Sequence, residues 1–192
     1  MSESDLSDDP SRCFEIVFVC TGNRARSAFA EAVLRRRLGL SRVTIRSVGT
    51  LDVGPMGALP EAMRAATRFG IDLSAHRATA LTPGALVDAD LVIGFEPHHL
   101  SIAVVDAGAR RERVFSIVEL AEILETLPGH GEPGETIALA HARRRATSPL
   151  LAPAIGDPLG KPERIFLRTF GEIDELTERI AARLFGVPAQ TD

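Results

Sequence analysis

Residues 17–27 read VFVCTGNRARS, and no other stretch restricts the fold as much. An apolar run passes straight into a cysteine, a short polar loop, an arginine and a serine that opens a helical pattern. Residues 14–20, FEIVFVC, are β-branched and aromatic with little polar interruption, which fits a central strand buried on both faces. Residues 27–38 repeat apolar groups at Ala28 and Ala32 and at Phe29 and Val33, pair Glu31 with Arg35 at i,i+4, and stop at Gly39. A strand feeding a helix through so short a loop turns the loop amides and the positive end of the helix dipole toward one concavity. A phosphate-like dianion fits there. Cys20 lies at its floor, where the same field favours a thiolate over a thiol.

The rest of the chain alternates strands with helices. Further strands are expected at 43–48, 90–94 and 113–115. Further helices are expected at 61–69, after Pro97, at 135–146 and at 162–185. The last of these spaces Ile165, Phe166, Thr169, Phe170, Ile173, Leu176, Ile180 and Leu184 as an amphipathic helix that packs on the sheet. The alternation predicts an α/β fold: a single doubly wound domain with a central, mostly parallel four-stranded sheet flanked by helices, and its ligand site at the carboxyl ends of the strands. Residues 14–187 form that domain. Residues 1–13 read as a disordered polar lead, 127–153 as an inserted loop-helix-loop, and 188–192 as a tail.

At 192 residues and 45% hydrophobic, the chain supports one well-buried core. A net charge of -4 with no dense basic stripe argues against nucleic-acid binding; the run at 143–145 reads as a solvated helix face. No stretch approaches the ~20 apolar residues of a membrane helix, and the first residues are acidic, so no membrane insertion and a cytoplasmic location are expected. The two cysteines, Cys13 and Cys20, would lie ~23 Å apart along a strand, beyond disulfide reach. No metal is expected: no Cys-x-x-Cys pair occurs, and the side chains of His98 and His99 need not converge.

The Cys-x5-Arg-Ser pattern from Cys20 to Ser27, with the late Asp-Pro of residues 154–160 (AIGDPLG), resembles the low-molecular-weight protein tyrosine phosphatases. Ser47, Gly49, residues 70–77 (GIDLSAHR) and the strand from Asp90 fall in the family's order. The resemblance implies phosphomonoester hydrolysis, protein phosphotyrosine foremost, without a cofactor. Cys20 would be the nucleophile, Arg26 the fork that grips two phosphate oxygens, and Asp157 the acid that protonates the leaving oxygen and then activates water. The loop residues Thr21, Gly22, Asn23, Arg24 and Ala25, with Ser27, would bind the phosphoryl group. Gly22 is expected to adopt a φ closed to other residues, and Asn23 tolerates the left-handed region. Ser27 would cap the helix and donate to the thiolate. The resemblance adds Ser47 and His76 as a supporting hydrogen-bond network. Its implied partner is a phosphorylated protein, a tyrosine kinase among the candidates, met by a monomer.

Departures shape the alternatives. Leu159 and Gly160 stand where many members of the family carry an aromatic wall, and the chain has no Tyr or Trp. Phe95 and the aliphatic groups of 51–53 are left as wall candidates, which weakens ring stacking. Arg24, expected at the exposed crest of the loop, would attract acidic flanking residues and disfavour a phosphoarginine leaving group. An arsenate reductase using an external small thiol is the second enzyme reading, because the resolving cysteines of an internal relay are missing. A non-catalytic phosphate-binding module is the third. An ATPase loop is excluded, since CTGNRARS lacks a Gly-Lys-Ser/Thr end.

Overall fold

The computed structural model describes residues 12–39, 42–129, 131–144 and 154–187. At its centre runs β1 (Phe14–Cys20), whose alternating side chains face two separate cores. Ile16, Phe18 and Cys20 enter the larger core, and Val17 and Val19 the smaller. All five are buried. A central parallel strand has no wet face, so its sequence shows no polar alternation.

β2 (Val43–Gly49) pairs with one side of β1, and β3 (Leu91–Gly94) with the other. β4 (Val114–Ser116) lies outside β3, giving the order β2-β1-β3-β4 with every pairing parallel. The sheet is therefore the four-stranded doubly wound one expected, and wholly parallel. Winding reverses between β1 and β3, which opens a crevice at the carboxyl ends of those strands. Register sets Cys20 beside Gly49 and Val19 beside Gly94 at that edge.

The helices are α1 (Arg26–Leu38), α2 (Pro60–Thr67), α3 (Pro97–Val105), α4 (Ile117–Glu125), α5 (Pro133–Arg143) and α6 (Glu163–Phe185). The rings of Phe29 on α1 and Phe170 on α6 stack 4.0 Å apart at 8°. Phe166, Ile173, Leu176, Ile180 and Leu184 of α6 share the larger core, while Ile165 is half-buried outside it. Leu100 and Ala103 bring α3 onto the smaller core. The sequence expectations include no element at 117–125, where α4 forms. Its signature is Ser116, whose Oγ accepts from Glu119 N at 3.1 Å: a Ser-x-x-Glu helix start.

The expected lead, insertion and tail fall partly on residues 1–11, 130, 145–153 and 188–192, which lie outside the described residues, as does the end of the helix expected at 135–146. Arg12 is placed, with Nη1 2.9 Å from Asp90 Oδ1. Among the described residues no helix is long and apolar enough to cross a membrane.

Candidate active site

β1 delivers Cys20 to the crevice, and the next five residues loop over it before α1 begins at Arg26. Cys20 Sγ lies 2.9 Å from Ser27 Oγ and accepts from Asn23 N at 3.3 Å. Asn23 is fully buried and holds the left-handed conformation at φ 51°. Its side-chain amide donates to Ser27 Oγ at 2.9 Å and to Ser47 Oγ at 2.7 Å, and its Oδ1 accepts from Thr79 N at 2.8 Å. His76 Nε2 lies 2.6 Å from Asn23 O. Ser47 Oγ donates onward to Glu31 Oε2 at 2.5 Å, so one chain of polar groups leads from the sulfur to the half-buried Glu31. The structure thus brings Cys20, Asn23, Ser27, Ser47 and His76 together.

Three sequence expectations are corrected here. Ser27 is not the helix cap: the cap position is Ala25, which supplies no side-chain bond, and the Ser27 hydroxyl is spent on sulfur and Asn23. Gly22 does not take a positive φ; Asn23 is the loop residue that does. The glycine that matters for packing is Gly49, where a Cβ would stand 2.9 Å from Thr21 O and 3.0 Å from Asn23 N. The end of β2 therefore presses directly on the loop backbone. Arg24 is half-buried rather than at an exposed crest, because its Nε donates to Gly57 O at 2.8 Å and its carbonyl accepts from Leu59 N at 2.9 Å.

Arg26 is only 1% exposed and is held by groups from two other parts of the chain. Nη1 donates to Glu96 Oε2 at 2.5 Å and to Ile155 O at 2.8 Å. Nη2 lies 2.7 Å from Asp157 Oδ2, close enough for the charges to attract, yet makes no aligned hydrogen bond. A buried guanidinium donor without an aligned partner, beside the sulfur, fits an oxyanion. Ile155 N also donates to Phe95 O at 2.8 Å, which fixes the loop that carries Asp157. Sequence reasoning missed Glu96. Its available signal was a carboxylate just past the carboxyl end of a central strand, where α/β folds collect functional groups.

A cavity of about 110 Å3 is lined by the buried Cys20 and Arg26, by the exposed Asp157, Leu51 and Leu159, and by Gly22, Arg24, Val53 and Leu59. Leu51 and Leu159 are 56% and 62% exposed. Phe95 is no wall: it is fully buried, stacked 6.4 Å from Phe18 behind Arg26. His98 and His99 do converge, with ring centroids 4.0 Å apart, and with Glu96 they group donor atoms within 4.8 Å. Those of His99 and Glu96 are already engaged. His99 Nδ1 faces Glu96 N at 3.0 Å, His99 Nε2 faces Thr21 Oγ1 at 3.1 Å, and Glu96 Oε2 holds Arg26. Cys13 and Cys20 are both free thiols, the first exposed and the second buried.

Sulfur, guanidinium and carboxyl converging on one anion-sized hollow at a doubly wound switch point mark a cysteine-dependent phosphatase. The chain belongs to the family described as low molecular weight phosphotyrosine protein phosphatase, whose model matches residues 15–127. A protein-arginine-phosphatase of Bacillus subtilis is 30% identical over 173 residues, covering 88% of this chain and 96% of its own. A probable low molecular weight protein-tyrosine-phosphatase, EpsP, of Ralstonia nicotianae is 40% identical over 78 residues, 41% of this chain and 52% of its own. The crystal structure of a YwlE mutant from Bacillus subtilis superposes with a TM-score of 0.65 at 27% identity, covering 88% of this chain and 96% of that one.

Proposed function

We propose that this phosphatase acts on protein phosphotyrosine, with Cys20 as nucleophile, Arg26 as oxyanion clamp and Asp157 as general acid and base. The Cys20 thiolate attacks phosphorus, a sulfur–phosphorus bond forms, and the phosphorus–oxygen bond to the leaving phenol breaks as Asp157 passes it a proton. Water then attacks the cysteinyl-phosphate and gives its proton to Asp157 carboxylate. Phosphate leaves with the sulfur restored as thiolate, eased by the Ser27 hydroxyl at 2.9 Å. The observation that carries this reading is that one cavity is lined by all three groups.

The preference for tyrosine rests on the mouth. Aliphatic side chains accept a flat aryl group, and a long ester reaches a buried sulfur that a short one does not. A phosphoarginine leaving group is cationic, and Arg24 beside the cavity repels it. The substrate is then a phosphorylated protein, tyrosine kinases included, met in the cytoplasm by a monomer. An arsenate reductase would need a second thiol, and Cys13 precedes the opposite end of β1.

The test is a panel of phosphotyrosine, phosphoserine and phosphoarginine peptides, run beside arsenate with a small thiol. Phosphotyrosine should be hydrolysed at least ~10-fold faster than the others, with activity abolished in Cys20→Ser. Faster release from phosphoarginine would overturn the substrate but keep the chemistry. Thiol oxidation driven by arsenate and outpacing phosphate release would overturn both.

A further inference from the structure

The steps above leave unused a buried histidine directly beneath the phosphate loop. His99 is 0% exposed, sits in the first turn of α3, and is set there by close packing: a Cβ on Gly94 would meet His99 Cβ at 3.1 Å and Leu100 Cδ2 at 2.6 Å. Its Nδ1 accepts from Glu96 N at 3.0 Å, so in the neutral ring the proton belongs to Nε2. That nitrogen lies 3.1 Å from Thr21 Oγ1.

We propose that His99 is a positioning residue for the phosphate loop, donating from Nε2 to the Thr21 hydroxyl and so joining the loop to the same turn whose Glu96 clamps Arg26. Thr21 and Arg26 bracket the loop. Glu96 at the start of α3 and His99 three positions on, in its first turn, lie one under each end. The turn is therefore a shelf that fixes the span of the loop between the residue after the nucleophile and the guanidinium. A helix-capping role explains the Nδ1 contact and leaves the Nε2 contact without a purpose.

Burial keeps the donor available. Desolvation, helped by the neighbouring charges of His98 and Arg26, pushes the His99 pKa down to about 2, so the ring stays neutral throughout the working range.

The inference rests on the phosphatase reading above, and the experiment separates the two. Wild-type chain, His99→Leu, His99→Gln, Thr21→Val and the double variant His99→Leu/Thr21→Val are assayed on an aryl phosphate. Thr21→Val and His99→Leu should each lower kcat about 5- to 50-fold with KM changed less, and the double variant should be no worse than the poorer single one. Glutamine can accept at the helix start and donate from its amide, so His99→Gln should retain kcat within about threefold of wild type. Wild-type kcat in Thr21→Val, or losses that multiply in the double variant, would overturn the positioning role while leaving the phosphatase intact. Should His99→Leu fail to fold, Thr21→Val and His99→Gln decide the matter. A wild-type chain without Cys20-dependent turnover would instead remove the function itself.

Discussion

The base and the lip of the same cavity are built on opposite principles. At the base, Asn23, Arg26 and Ser27 are buried, and each is tied by hydrogen bonds to residues distant in sequence or to the nucleophile. At the lip, Leu51 and Leu159 are more than half exposed, and Leu159 shares a turn with Asp157 through a single bond from its own N–H to Oδ1 at 3.0 Å. Buried polar groups tolerate few substitutions because an unmatched donor or acceptor loses its solvation without replacement. Exposed aliphatic groups carry no such constraint. We expect the reaction to depend on the buried groups and the choice of substrate on the exposed ones; relatives of this one chain are named for tyrosine and for arginine chemistry.

Several measurements would break or sharpen that contrast. The largest effect is expected from Asp157→Asn, which should slow aryl phosphate hydrolysis ~10²–10⁴-fold, most for leaving groups of high pKa. A loss that ignores leaving-group pKa would remove Asp157 from the acid's role. Next comes acid stability. The His99 pKa lies near 2 in the folded chain, against about 6.5 when unfolded, so below pH 6.5 the unfolded state binds a proton that the folded state refuses. Stability should fall as pH drops through that window, by up to ~1.4 kcal/mol per pH unit from this group, and His99→Gln should flatten the slope in urea titrations. Gly49→Ala should cost ~1–3 kcal/mol in unfolding free energy and disturb the loop, since the new methyl group meets backbone rather than a yielding side chain. The smallest effect belongs to the lip: Leu159→Phe should lower KM for an aryl phosphate only ~2- to 10-fold, with kcat held. A kcat change there as large as those at the base would dissolve the distinction.

Much of this was legible before any coordinates. The strand FEIVFVC announced itself because burial on both faces removes polar alternation, and the parallel sheet followed from strands and helices taking turns. Cys20, Arg26 and Asp157 stood out because the Cys-x5-Arg-Ser loop and the late Asp-Pro pair resemble the family's motifs. What stayed hidden were contacts between residues far apart in the chain. Glu96 offered only its place just past the end of a strand, and nothing near His99 says that β3 will lie beside β1 and carry it under the loop. Phe95 misled for the same reason: an aromatic near a site reads as a wall until packing shows it facing inward. Gly22 misled more locally, because Asn23 can adopt the conformation that was assigned to its neighbour.

The stacked rings of Phe29 and Phe170 have a mechanical implication. One ring belongs to the helix that starts with Arg26, the other to the helix that follows Asp157, so the guanidinium and the carboxyl are bolted to a common chassis. We expect such an enzyme to admit and release its cargo without spreading those helices, leaving traffic to the small aliphatic side chains around the entrance.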